Sequence, residues 1–549
     1  MTISARIAGL GALAALAATC AAGAAAQAPG AGLAATVPTR TDVRDLGRAP
    51  ATLTVNLAVS LPYRNASQLD RLIESQGDRS SPLFGRFLSN GQFDAYFAPS
   101  SAAYAQAIAT LRHDGFRVTQ TFPNRTLLDI SAPRAVVERV FSTEIHRVAQ
   151  AGAGLRYANV RPALLPAELR GIVETVDGFN NLLIVRTMVR PHHGASQPEM
   201  AQPNIVLRGP GGGFGPLATS IGYDLPVEHG KDGSQRSTGN AICGDFQDTD
   251  LATFIAQFGI VRGGPATVRV AVDGGAPYFP PGHDPGNCSL ESSLDVQTIV
   301  GNAPGTAFTE YLIPDLSDQH IEDLYNQVVS DNKVDVLNSS FGGCEADDPT
   351  FATATNKIAA QGSVKGITFS ASSGDSGSFI CGSGNGASAP ASGIQFVAVG
   401  GTQLSVDANG NYLSETAWNG STGGYSGVFK EPKYQKLVSG PLPNGRNTPD
   451  IAFASTNVAV YDGGGWGAVD GTSWSSPIYC ALQTELDQIA KRRAGHIHGQ
   501  LYRAAKLHGY PPYHDITTGS NGLYNAGPGY DEVTGIGSAD GQALSAFIR

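Results

Sequence analysis

Apolar and polar positions change period several times between residues 45 and 188. ATLTVNLAVSLP alternates every second residue, as a half-buried strand does, whereas ASQLDRLIESQ and AAYAQAIATLRHDG repeat their apolar residues at helical spacing. RTLLDISAP and RAVVERVFST add a strand and a further helix. A strand-helix-strand-strand-helix-strand order belongs to a ferredoxin-like α+β module, which is expected over 45–188. RPHHGASQPEMAQPNIVLRGPGGGFGP follows, rich in Gly and Pro and without a period. Residues 189–215 therefore read as a linker, and one open to proteolytic cutting.

From 216 to 549 the pattern becomes a regular alternation of strands and helices. VRVAVDGG is followed by the helical LESSLDVQTIVGN, then GTAFTEYLIP, IEDLYNQVVSDN, VDVLNSSF, ATNKIAAQG, GITFSASSGD and IQFVAVGGT. Such alternation predicts an α/β fold, a parallel sheet with helices on both faces. Chemistry in such sheets gathers at the carboxyl ends of the strands.

The first 26 residues break both patterns. MTISARIAGLGALAALAATCAAGAAAQA has one early Arg6, an apolar Ala/Leu core and an A-x-A site, which is the pattern of a secretory signal peptide over 1–26. No other stretch is apolar for the ~20 residues a membrane span needs, so an exported protein, extracellular or periplasmic, is expected. A net charge of −10 excludes the basic patch of a nucleic-acid binder, and a monomer is expected. Of six cysteines, Cys20 lies in the signal segment. Cys243, Cys288, Cys344, Cys381 and Cys480 are an odd set, so at least one is left over within the chain. Cys344 and Cys381 each follow a strand and are candidates to pair.

Candidate chemistry begins with DGTSWSSP at 470–477. A serine there is either an ordinary helix cap or a nucleophile presented at a helix start, where backbone N–H groups favour nearby negative charge. A nucleophile needs a base. GDSGS at 374–378 looks like the nucleophile loop of all-β chymotrypsin-like proteases, yet the chain is α/β, and His229 in EHGKDG lacks the setting of a triad histidine. Glu291 and Asp295 in LESSLDVQTIV offer another base. At i and i+4 they share one helix face, flanked by Leu290, Leu294, Ile299 and Val300. Two close carboxylates in an apolar setting cannot both ionise easily, so one keeps its proton into milder pH.

These pieces occur in an order that carries a resemblance: E-x-x-x-D at 291–295, SGDSG around Asp375, ETAWN at 415–419, SGVFKEPKYQ, GRNTPDIA and GTSWSSP. The chain resembles the sedolisin (kumamolisin-type) serine-carboxyl peptidases in full precursor form. That resemblance implies a subtilisin-like fold over 216–549, with Ser473 as nucleophile, Glu291 as base and then acid, Asp295 orienting it, and Asp375 in the oxyanion hole. It further implies that 45–188 is an activation prodomain acting as an intramolecular inhibitor. The substrates would be proteins and peptides, and the work would be done in acid, where a carboxylate base is near its own pKa and Asp375 is protonated. HDITTGSNGLYNAGPGYDEVTGIG matches the family's calcium loop, which implies one structural Ca²⁺ held by carboxylates of Asp515 and Asp531 and carbonyls of Ile516, Gly527 and Gly529. Trp474, Asp470 and Cys480 depart from the family pattern and bear on the pocket beside the nucleophile. Endopeptidase action, release of tripeptides from N-termini, and a catalytically silent binding protein are the three readings that remain.

Overall fold

The alternation in TVNLAVS becomes strand Thr54–Ser60, with Val55 and Leu57 buried and Thr54 and Asn56 exposed. It pairs antiparallel with Leu127–Pro133 on one side and Thr175–Asp177 on the other, and Arg117–Thr121 extends the sheet beyond Leu127–Pro133. This is the strand order of the expected ferredoxin-like module. Helices Ser101–His113 and Arg134–Phe141 close one core over it, where Tyr104, Ala107, Leu111, Val137 and Phe141 meet Val55, Leu57 and Val59. A second sheet of Val43–Arg48, Ile145–Gln150 and Gly154–Asn159 is added to the module. Helix Ala66–Gly77 does different work: Leu69, Leu72 and Ile73 pack with Ala360 and Val364 of helix Pro349–Val364, across the boundary with the second domain. The computed structural model describes residues 33–35, 38, 42–192, 201–202, 205–382, 384–506 and 512–548; the expected signal segment and part of the 189–215 linker fall outside them.

In the second domain the alternating strands form an eight-stranded sheet. Its order is Val268–Ala271, Ala307–Leu312, Ser237–Ile242, Val336–Ser339, Thr368–Ser372, Phe396–Val406, and the last of these pairs with both Ile451–Ala454 and Tyr412–Ala417. Every pairing is parallel except that to Tyr412–Ala417. The order reverses at Ser237–Ile242, the first of these strands in the chain. In an open parallel sheet the strand ends beside such a reversal are the usual place for a site.

Two helices run through the centre of the domain and carry the candidate residues. Cys288–Asn302 and Thr472–Ala490 are buried over almost their whole circumference, as helices enclosed by a large domain are. Trp474 turns into the core and stacks on Phe214 at 6.2 Å, so this departure from the family pattern is a packing residue. Cys480 is buried and free, while Cys243 pairs with Cys288 and Cys344 with Cys381. Among the described residues no helix is long and apolar enough to cross a membrane.

The boundary between the two domains is polar as well as apolar. Asn124 donates to Asn326 at 2.6 Å, Lys357 donates to the Leu61 carbonyl at 2.6 Å and pairs with Glu174, and Leu88 and Gln76 both donate to the Val364 carbonyl. Carboxyls also meet there: Asp129 faces Asp323, and Asp177 faces Glu322, Asp318 and Asp348.

Candidate active site

Ser473 is the second residue of helix Thr472–Ala490. Gly471, just ahead of it, has φ +154, and a Cβ there would lie 1.9 Å from the Met188 carbonyl oxygen and 2.9 Å from Asp375 Oδ2. Glycine is thus required by both conformation and space, and those two oxygens converge on the same spot. Asp375 arrives on the loop after strand Thr368–Ser372. Its Oδ1 accepts from the Thr472 amide at 2.8 Å and the Thr472 hydroxyl at 2.9 Å, and the same hydroxyl accepts from the Gly374 amide at 3.1 Å. Burial pushes the Asp375 carboxyl up to about 7, against the pull of its Thr472 bonds and the Arg190 charge.

Helix Cys288–Asn302 brings Glu291 and Asp295 to Ser473. Both carboxylates and Ser473 are fully buried. The Ser473 hydroxyl lies beside the Glu291 carboxyl. Ser473 Oγ, both Glu291 oxygens and Asp295 Oδ2 nevertheless have no hydrogen-bond partner of ordinary geometry. An orphaned buried polar group costs about 1–3 kcal/mol, so four such atoms in one place mark a site kept for something other than stability. Burial, then the neighbouring Asp295 and Asp375 charges, hold the Glu291 carboxyl well above its usual range. Burial raises Asp295 to about 8, opposed by hydrogen bonds from Ser340, Asn240 and Asn338.

Beneath the pair runs a polar network that the motif reading passed over. Ser340 donates to Asp295 Oδ1 at 2.7 Å, Asn338 donates to Ser340 Oγ and to Asn240 Oδ1 at 2.9 Å each, and Asn240 donates to Glu310 at 3.2 Å. Ser292 donates to the same Glu310 oxygen at 2.6 Å, and Ser476, on the nucleophile's helix, donates to Asn338 Oδ1 at 2.7 Å. All of these residues are buried. The signal for them was the polar Asn-Ser-Ser run closing the apolar strand in VDVLNSSF. His229 instead pairs with Asp224 at 2.7 Å on the surface, and Ser376, the central residue of GDSGS, is exposed with its amide donating to Thr422 Oγ1 at 3.0 Å.

The cleft is filled by the chain itself. Arg186–Thr187 pairs antiparallel with Phe341–Cys344, and the Met188 amide donates to the Ser340 carbonyl at 3.1 Å. The Met188 carbonyl then accepts from the Ser473 amide at 3.3 Å. Beyond it Arg190–Pro191 pairs antiparallel with Gly465–Asp470, and the His192 amide donates to the Ala468 carbonyl at 2.9 Å. A stretch without sequence period is thus held as an added strand on two edges, one on each side of Ser473.

In the C-terminal loop Asp515 and Asp531 both bind backbone amides of one turn. The Gly529 amide donates to both Asp515 oxygens at 3.1 Å, and the Gly527 amide donates to Asp531 Oδ2 at 3.0 Å. Asp531 Oδ1 also accepts from the Val533 and Thr534 amides. Ile516 is buried beside Ala526 and Val533. Carboxylates are the hard oxygen donors that Ca²⁺ takes, and here both face the same turn, through its N–H groups.

Comparison with known proteins agrees with this architecture. Residues 41–182 match the family described as the Pro-kumamolisin activation domain. The chain is 32% identical to sedolisin of Pseudomonas sp. (strain 101), over 90% of this chain and 87% of that protein. It is 28% identical to kumamolisin of Bacillus sp. (strain MN-32), over 89% and 91%. More distant matches include proteins named tripeptidyl-peptidase. The solved structure of Pseudomonas sedolisin, a serine-carboxyl proteinase complexed with two molecules of pseudo-iodotyrostatin, superposes with TM-score 0.55 at 31% identity, covering 61% of this chain and 98% of that one. The chain therefore belongs to the sedolisin family of serine-type peptidases, with an activation domain ahead of its α/β domain.

Proposed function

We propose that the chain is a secreted, acid-active serine-carboxyl endopeptidase made as a self-processing precursor. One observation carries this reading: residues 186–192 lie in the cleft as a substrate would, with the Met188 carbonyl on the Ser473 amide. In the proposed reaction Ser473 Oγ attacks the carbonyl held there while Glu291, ionised in the state where the proton of the pair rests on Asp295, takes the hydroxyl proton. Glu291 passes that proton to the departing amine, and water then hydrolyses the acyl-enzyme with Glu291 acting again as base and acid. Asp295, held by Ser340, positions Glu291 and shares its proton. Asp375 donates to the oxyanion beside the Ser473 amide, and it does so only while protonated.

The first bond cut is then Met188–Val189, at the start of the 189–215 linker. The endopeptidase reading is favoured over tripeptide release because the peptide continues upstream past Arg186 along the cleft, where the Ile184 carbonyl lies over Gly343. Two disulfides, which persist in oxidising surroundings, support export. We assign one structural Ca²⁺ to Asp515, Ile516, Gly527, Gly529 and Asp531. When bound it would tie the ends of the loop together, outside the catalytic chemistry.

The test is acidification of the purified precursor, with mass spectrometry of the products. Wild type should release a fragment ending at Met188, and Ser473→Ala should remain whole. A Ser473→Ala precursor that matures at the wild-type rate, in the absence of other proteases, would overturn self-processing.

A further inference from the structure

The segment in the cleft shows more than where the cut falls. With Met188 at the cleaved carbonyl, Val189 begins the leaving side, Arg190 is the second residue past the cut and His192 the fourth. Both are basic, and each meets a built feature of the α/β domain. The Arg190 guanidinium lies 4.5 Å above the Trp418 ring centroid. Trp418 is 3% exposed beneath it. Gly420 keeps the place open, since a Cβ there would lie 2.4 Å from the indole and 2.7 Å from Arg190 Nη2. His192 Nδ1 lies 2.7 Å from Asp470 Oδ1, which also accepts from the Asn457 amide at 2.7 Å. The position of Asp470 is locked by the pairing of Gly465–Asp470 with the linker strand.

We propose that the leaving-group side of this cleft selects basic residues: the Trp418 face takes a guanidinium two residues past the cut, and the Asp470 carboxylate takes a cationic side chain four residues past it. This rests on the reading of the cleft as a peptidase site. A planar guanidinium suits an indole face, where quadrupole attraction and stacking add. An imidazole is cationic in acid, so at the pH where a carboxylate base works a substrate histidine presents a charge to Asp470. In the precursor the linker uses both contacts to hold itself in register. Once it is cut, they are free to read other proteins. The substrates favoured are therefore chains with Arg or Lys shortly downstream of the cleaved bond.

The inference is tested with mature enzyme obtained by acid processing, on internally quenched peptides copying residues 185–193. Replacing the arginine equivalent to Arg190 with alanine should lower kcat/KM about 5- to 30-fold, mostly through KM, because the contact is made equally in ground and transition states. Replacing the histidine equivalent to His192 should cost about 3- to 10-fold, and the histidine-over-alanine ratio should fall to near one in Asp470→Asn. These substitutions sit in the peptides, so folding of the enzyme is not at issue in the first comparison. Cleavage of both alanine peptides within twofold of the parent overturns the proposal, as does a histidine preference that survives in Asp470→Asn. If the parent peptide is not cut in a Ser473-dependent manner at all, the peptidase reading itself falls.

Discussion

Asp450 and the Glu291–Asp295 pair are equally shut off from water, yet their carboxyls move in opposite directions. Burial alone would raise all three. Asp450 sits 2.6 Å from the Arg446 guanidinium, accepts from the Tyr502 hydroxyl at 2.8 Å and the Ala398 amide at 2.9 Å, and has His498 at 3.6 Å. Against its own burial, that positive charge and those donors hold it well below the usual carboxylate range. Glu291 has carboxyls and a hydroxyl for neighbours, so burial and like charge push it up. The difference teaches that a buried carboxylate given a counter-ion is an anchor, and one denied a counter-ion is a proton store. A depressed group contributes stability above its unfolded pKa of ~4 and loses it only as pH falls through its lower folded value, so the Asp450 pair survives mild acid.

The most severe way to break the comparison is to remove the proton store. Glu291→Gln keeps the shape but cannot accept a proton, so kcat should fall by at least about 10²- to 10⁴-fold with little change in KM. Steady-state kinetics on one peptide decide this, and a variant with near-normal kcat would place the base elsewhere. The mirror experiment removes the anchor's counter-ion. Arg446→Leu leaves Asp450 charged and unpaired in the core, at a cost of about 3–5 kcal/mol, and thermal unfolding of the Ser473→Ala precursor should shift down accordingly. If Arg446→Leu with Asp450→Leu is no more stable than Arg446→Leu alone, the stranded charge is not the reason.

A third pair of carboxylates sharpens the contrast, because the proposed counter-ion there is a metal. Removing Ca²⁺ with a chelator, or Asp531→Ala, should lower the stability of the mature enzyme by about 2.7 kcal/mol at a hundredfold excess over Kd, read as a lower Tm. Identical melting with and without chelator, and no metal in the purified protein, would retire that ion.

Smaller effects test the carboxyls raised by burial. The donor role proposed for Asp375 requires its proton, so activity should decline as pH rises through its value of about 7, and Asp375→Asn should keep part of the activity and carry it to higher pH. Equal loss in Asp375→Asn and Asp375→Ala at every pH would remove its donor role. At the domain boundary, burial and then neighbouring carboxyls raise Glu322, Asp318 and Asp323, and burial raises Asp129 to about 6 and Asp348 to about 8. The folded precursor thus holds more protons at these groups than the unfolded chain. Their contribution to stability is full below ~pH 4, the range of a free carboxyl, and is lost as pH climbs through the raised values. The Tm of the Ser473→Ala precursor should accordingly fall by a few degrees from pH 4 to pH 7, and Asp323→Asn should flatten that slope. A Tm that rises with pH over this window would show that acid loosens the prodomain instead.

Much of this molecule is written in local pattern. Period in TVNLAVS and in the helices of the first domain predicts the ferredoxin-like order, because strand and helix geometry decide which neighbours share a face. The spacing of Glu291 and Asp295 puts them on one helix face, and the ordered motifs lead to the family. GRNTPDIA even holds the Arg446–Asp450 pair at i and i+4. Tertiary structure decided the rest. That Glu291 is left without a counter-ion while Asp450 receives one depends on which distant segments surround each, and a pKa is set by all neighbours in space. The Asn240–Asn338–Ser340 network joins strands far apart in the chain. The linker's place in the cleft is invisible to any period, because its amides and carbonyls, common to every residue, make the pairing, and only a partner edge brought close by the fold can use them.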